Sequence, residues 1–340
     1  MALTSETQEE HDVSTTEPFN FTTVTEGADT FTDLILTDSQ LAQIKLYEDL
    51  NFATFIIYKI MAVLIAIANL IIIIAVIRYK NLRTSTNVLI VNLAFADLLN
   101  SPSLLLARIH YFMAVNSYNE VIIKIFICVP HALTVSSVSI SLTSFTLITI
   151  ERWLAITYPL KFKTYVTIKK IVIVAVVSSL LAFAQNFSIV MYYAWQQPMH
   201  FYEKPFTIID FIPLPVLIYI GPVHYCTFIA IMICLYISIA ITLKRHSTFQ
   251  NRHSSAMATQ NTKKVTQMTS IILALFLVIW VPYTIAVAYS DKISTTLAGR
   301  IGLQIVLYLI SANSFMNIFI YAWKNKAFRD AFKDMLCCGK

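Results

Sequence analysis

Apolar residues in this chain gather into seven long runs separated by polar segments. The runs lie near Phe55–Ile77, Val88–Leu106, Ile122–Ile150, Ile171–Tyr193, Phe211–Leu243, Val265–Tyr289 and Ile301–Trp323. Each approaches or exceeds the ~20 residues a helix needs to cross about 30 Å of hydrocarbon. A buried soluble helix would explain any one run, but not seven in series. The pattern predicts an all-α membrane protein, a bundle of seven spanning helices. After the last run, Phe328, Ala331, Phe332, Met335 and Leu336 fall at helical spacing opposite Lys and Arg. That stripe predicts a short helix lying in the membrane interface.

Composition agrees with a membrane protein. Of 340 residues, 57% are apolar and 13% charged, where a soluble domain carries about a quarter charged. Lys and Arg set the expected orientation. One set of run ends holds Arg78, Lys80, Arg83, Arg152, Lys161, Lys163, Lys169, Lys170, Lys244, Arg245 and the basic residues after Trp323. The other holds only Lys45, Lys59, Arg108, Lys124, Lys204, Lys292 and Arg300. The N-terminus is therefore expected outside the plasma membrane and the C-terminus in the cytoplasm. The net charge of +6 belongs to cytoplasmic loops, which makes nucleic-acid binding a poor explanation for it.

Residues 1–50 are acidic and rich in Ser and Thr, and are expected to form a disordered extracellular arm. No apolar stretch precedes Phe55, so the first span is expected to direct its own insertion. Asn20-Phe21-Thr22 in the arm is a glycosylation sequon. Asn186-Phe187-Ser188 also matches, but it lies inside the fourth run, out of the modifying enzyme's reach. Residues 51–323 then form the membrane domain, and 324–340 the interfacial helix and tail. Cys337-Cys338 follow that helix directly, where S-acylation would anchor it. Cys128, Cys226 and Cys234 lie within runs and offer no extracellular disulfide framework.

Charge is costly in lipid and is usually retained there for function. Glu151-Arg152-Trp153 closes the third run, and Tyr158-Pro159-Leu160 then breaks the helix. Asp97 is the one acid well inside a run. Such a carboxylate takes up a proton or finds a cation. Asn69, Ser141, Asn313, Ser314 and Asn317 are the small polar residues able to converge on it. Their oxygens suit a hard cation such as sodium; interhelical hydrogen bonds around a protonated Asp97 suit them equally.

Several motifs fall in order along the chain: Asn69, Asn92-Leu93-Ala94-Phe95-Ala96-Asp97-Leu98, Glu151-Arg152-Trp153, Phe276 with Trp280-Val281-Pro282-Tyr283, Asn313-Ser314, Asn317-Ile318-Phe319-Ile320-Tyr321 and Phe328-Arg329. Together they resemble the rhodopsin-like (class A) family of G-protein-coupled receptors, over nearly all of Phe55 to Cys338. The resemblance implies a sodium-binding centre at Asp97, Ser141, Asn313 and Asn317, with Asn69 beside it. It implies that Arg152 pairs with Glu151 at rest and meets a heterotrimeric G protein when active. Phe276 and Trp280 would repack as the sixth helix swings outward about Pro282, with Tyr236 and Tyr321 turning inward. Ligand-facing positions would be Thr134, Ser137, Val138, His224, Tyr225, Tyr283, Tyr308 and Ser311.

Thr134 stands where amine receptors place an aspartate, and Ser311 where visual pigments place the retinal lysine. A neutral, aromatic, hydroxyl-bearing pocket suits an apolar or weakly polar ligand, one that is lipid-like. Lys59 either meets an anionic ligand group or snorkels to the outer interface. Nothing resembles a catalytic constellation, so neither enzyme activity nor a cofactor beyond a structural sodium ion is expected.

Some positions depart from the family. Ile318 replaces a proline, Trp153 a tyrosine, and Ser179 the fourth helix's tryptophan. Pro222 lies farther from Tyr236 than the family's proline, whose place Phe228 takes. No acid near Asn261–Lys264 faces Arg152, which predicts elevated ligand-free activity. Cys128 stands one residue off the family's disulfide position without a loop partner, so the outer loop loses that constraint. Two other readings stay open. A transporter or channel is disfavoured by five glycines in all and no internal repeat. A receptor-shaped protein that no longer signals is suggested by Ile318 and Trp153.

Overall fold

The computed structural model describes residues 38–106, 120–197, 212–250, 278–286 and 297–336, with Ala274 and Tyr289. Six helices among them are long and apolar enough to cross a membrane: Phe52–Arg78, Ser85–Leu106, Lys124–Thr157, Ile168–Trp195, Pro215–Lys244 and Ile301–Lys324 (the first to fifth and the seventh helices). The sixth run is helical at Ala274 and over 278–286, and Tyr289 at its end is a turn.

The first helix starts before its apolar run. It extends unbroken over Asp38–Arg78, so residues 38–50, assigned above to a disordered arm, are helical. Good helix formers such as Gln, Leu, Ala, Lys and Glu dominate this stretch, and neither Gly nor Pro interrupts it. Once the span has nucleated a helix, each added residue brings a hydrogen bond of its own. The remainder of the arm, Asn20 included, lies outside the described residues.

The third helix packs against the second, fourth and fifth. Its hydroxyls are compatible with lipid because they bond back one turn. Ser144 donates to Ile140 O at 2.8 Å, Thr146 to Leu142 O at 2.9 Å and Thr149 to Phe145 O at 2.8 Å. The helix ends at Thr157. Tyr158 leaves helical geometry, and Pro159 opens a short linking helix, Pro159–Tyr165. Thr167 then caps the fourth helix, its hydroxyl accepting from Lys170 N at 3.4 Å.

The fifth helix contains a π turn, Tyr219–Val223, just before His224–Gln250. Pro222 sits inside it. A proline has no N–H to give the α ladder and its ring crowds the preceding turn; one wider turn absorbs both defects. The seventh helix runs Leu297–Lys324, with Ile318 half-buried against the main core in place of the family's proline.

That core gathers Leu89, Leu93, Leu142, Phe145, Met232, Trp280 and Tyr321. The surface helix Lys326–Leu336 buries Phe328, Ala331 and Phe332, and Phe328 stacks on Tyr321 at 5.4 Å. Asn325 caps it, its Oδ1 accepting from Ala327 N at 3.0 Å. Arg329 Nη1 reaches back to Ala322 O and Trp323 O at 3.3 and 3.2 Å, among the last carbonyls of the seventh helix. Cys337 and Cys338 lie outside the described residues.

Candidate functional site

Arg152 grips its own neighbour. Its Nε donates to Glu151 Oε2 at 2.6 Å and its Nη2 to Oε1 at 2.9 Å, a two-point pair. Glu151 is 2% exposed, and its carboxylate also accepts from Ser85 Oγ at 2.6 Å and Thr86 Oγ1 at 3.2 Å. Those hydroxyls open the second helix, where the helix dipole favours an anion. Glu151 is therefore fastened to the second helix, and among the described residues Arg152 bonds only to Glu151. Trp153 holds the same edge: its Nε1 donates to Ser238 Oγ of the fifth helix at 2.9 Å.

In the middle of the bundle, Asp97 accepts from Asn317 Nδ2 at 3.1 Å and from Ser141 Oγ at 3.4 Å. Ser314, also buried, stands one turn before Asn317 on the seventh helix. Asn69 Nδ2 donates to Ser314 O at 2.8 Å, while its Oδ1 is buried without a partner. Asn313 is half-buried and is not among the groups bonded to Asp97. One carboxylate with hydroxyl and amide oxygens, and no Lys or Arg among them, is a donor set for a hard cation. The orphaned Asn69 oxygen fits that reading, since buried acceptors rarely go unmatched. Tyr321 is 1% exposed, and its hydroxyl too is without a partner.

A third polar node was not anticipated. Asn92 Nδ2 donates to Ser144 Oγ at 2.7 Å and to Ser179 Oγ at 2.9 Å. Ser179 thus replaces the family's tryptophan with a hydrogen-bonded tie joining the second, third and fourth helices. Asn186 is 2% exposed, with Nδ2 bonded to Ala182 O, so its sequon is structural.

The proposed ligand positions divide. Tyr225 lies 4.9 Å from Trp280 and 6.2 Å from Tyr283, and Trp280 meets Tyr283 edge-on at 5.4 Å. His224 adjoins them, 4.7 Å from Phe228 and 6.1 Å from Tyr225, and Val138 packs against the same core. His224 Nε2 is buried with no hydrogen-bond partner. The hydroxyls sit elsewhere: Ser137 donates to Ala96 O at 2.8 Å, Ser311 to Leu307 O at 3.0 Å, and Thr134 bonds Ser103. Tyr308 belongs to a separate tie, donating to Thr54 Oγ1 at 2.7 Å beside Tyr58. Lys59 donates to Leu104 O at 3.1 Å and to Leu105 O, capping the second helix. Tyr236 is half-buried against the core. Pro282 lies on the exposed face of the sixth helix, and Phe276 lies outside the described residues.

Residues 68–321 match the family model described as 7 transmembrane receptor (rhodopsin family). The chain belongs to that family. This receptor is accordingly a multi-pass plasma-membrane protein that signals through a G protein, and not an enzyme. Somatostatin receptor type 2 of Mus musculus is similar, 28% identical over 302 residues that cover 84% of this chain and 77% of the relative. The same receptor of Sus scrofa is 28% identical over 326 residues, covering 90% and 83%.

Proposed function

We propose that this receptor rests with Arg152 held by Glu151 and signals when that hold is released. The observation that carries the reading is the anchored pair. Glu151 is kept by Ser85 and Thr86 on the second helix, so release frees Arg152 alone. A ligand lodged against Tyr225, Trp280 and Tyr283 shifts the population toward a state with the sixth helix swung outward about Pro282. It shifts that balance no further than its preference for the state allows. Tyr236 and Tyr321 turn in, and the opened end accepts a helix of a heterotrimeric G protein. Leu160, 82% exposed on the linking helix, offers that partner an apolar contact. Arg152→Gln tests the reading: second-messenger output is expected to fall to the mock-transfected baseline at equal surface expression. Undiminished output overturns it.

The ligand in this reading is apolar or weakly polar, with one group that hydrogen-bonds His224. What supports it is the aromatic lining and the partnerless Nε2 of His224, since Thr134, Ser137 and Ser311 already bond within the bundle. A panel of lipid-like compounds, with somatostatin (named in its relatives) included, is the test. Activation by an apolar compound that His224→Phe weakens is expected; activation by charged compounds alone overturns it.

The positive-inside bias supports an N-terminus outside and a C-terminus in the cytoplasm. Epitope tags at both ends, reached from the same side of intact cells, would refute this. Asp97, Ser141, Ser314 and Asn317 would hold a sodium ion, with Asn313 one turn from Asn317. The ion would supply positive charge that favours the compact resting centre. Glycosylation at Asn20 and acylation at Cys337 and Cys338 complete the reading, supported by their places in the sequence.

A further inference from the structure

The passage from the third helix into the fourth carries a charge pattern that the switch does not use. Lys161, Lys163, Lys169 and Lys170 fall within it, and no Asp or Glu occurs anywhere from Trp153 to Tyr202. All four lysines are exposed, and none is in an ion pair among the described residues. Two are only lightly engaged: Lys161 Nζ lies 5.9 Å from the Tyr158 ring, and Lys170 Nζ donates to Tyr165 O at 3.0 Å. Between them stand exposed apolar side chains, Tyr165 at 65% and Ile168 at 46%. The fourth spanning helix begins at Ile168, so the patch sits where the chain enters the bilayer.

A water-soluble acidic partner would account for the lysines but not for bare tyrosine and isoleucine among them at membrane level. An anionic lipid accounts for both, since its headgroup meets the ammonium groups while the interface takes the apolar side chains. Four exposed cations between positions 161 and 170, with no acid to offset them, suit a headgroup of high charge.

We propose that Lys161, Lys163, Lys169 and Lys170, with Tyr165 and Ile168, dock an inner-leaflet lipid whose headgroup carries more than one phosphate. The proposal rests on the cytoplasmic placement of this end argued above. Full-length receptor in phosphatidylcholine nanodiscs, titrated with fluorescent phosphatidylinositol bisphosphate, tests it. Both leaflets are accessible in a nanodisc, so binding there is independent of orientation, which the terminal tags decide separately. Replacing all four lysines by Gln is expected to weaken binding by about tenfold or more, with Leu181→Ala, farther along the fourth helix, leaving it unchanged. The pairs Lys161→Gln/Lys163→Gln and Lys169→Gln/Lys170→Gln serve should the fourfold variant not fold, each expected to weaken binding severalfold. Parent-like binding by the lysine variants overturns the proposal. So does equal competition by phosphatidylserine at matched total charge, the mark of a diffuse surface field. Loss of G-protein nucleotide exchange by the lysine variants in pure phosphatidylcholine would assign the patch to the G protein instead, and overturn it too.

Discussion

At one end of the bundle Lys59 donates to the last carbonyls of the second helix, and Lys124 to Trp195 O at the end of the fourth, at 3.5 Å. At the other end Arg152 is held by Glu151. Both are cations reaching a negative pole, yet they differ in what can replace that pole. Helix-end carbonyls carry partial charge, are fixed in the backbone, and have no competitor. They tie the first helix to the second and the third to the fourth where Cys128, a buried free thiol, provides no crosslink. A carboxylate binds more tightly but is one partner among several that an arginine can take. One end is therefore stapled, and the other is poised.

That contrast is best broken at the poised end. Glu151→Gln keeps the shape and removes the charge. Breaking a buried pair costs about 3–5 kcal/mol, so ligand-free output should rise at least about tenfold toward its ceiling. A flat baseline would show that the pair restrains nothing. The unsubstituted receptor should itself signal above mock-transfected cells, because no acid in the sequence near Lys264 adds a second clasp.

Replacing sodium by choline should raise ligand-free output by about fivefold, the low end of ordinary site-to-site coupling. Asp97→Asn should abolish the dependence. Persistence of the sodium effect in that variant would remove the cation from the account.

Smaller effects are expected at the Trp153–Ser238 bond. Trp153→Phe and Ser238→Ala each remove one hydrogen bond worth about 1 kcal/mol, and each should raise basal output by about twofold to fivefold. Since they act on one bond, the double variant should exceed neither single one. Additivity would mean that the two residues act apart.

The stapled end should show the reverse profile. Lys59→Met should lower stability by about 1 kcal/mol, seen as a Tm lower by a few degrees, with signalling unchanged. Altered basal activity in Lys59→Met would dissolve the distinction between the ends.

Much of the architecture is legible in the sequence because membrane crossing is a matter of length and apolarity. The run ends anticipate the ends of the second, fourth and seventh helices to within a few residues, and the Phe328–Leu336 stripe anticipates the surface helix. Asp97, Ser141 and Asn317 converge as expected from their polarity in greasy surroundings. Other features were illegible for identifiable reasons. Ser85 and Thr86 look like ordinary loop-edge residues until the third helix places Glu151 against them. Ser179 reads as a missing tryptophan, because a serine in a run does not announce Asn92, 87 positions away. The hydroxyls of Ser137 and Thr134 look available for a ligand, whereas close packing on the second helix occupies them. Residues 38–50 looked too polar to be ordered, since propagation from an adjoining helix is invisible in composition.

The π turn at Tyr219–Val223 has a practical consequence for anyone comparing this chain with its kin. One additional residue in a helix rotates everything upstream by about 100°. Counting backward from Tyr236 therefore names the correct facing as far as His224 and the wrong one above Val223. A substitution copied into Leu217 or Ile220 from a template whose fifth helix is regular would land on a different side of the cylinder. Transplanting selectivity into this helix thus requires carrying Gly221 and Pro222 along with it, or shifting the graft by one position.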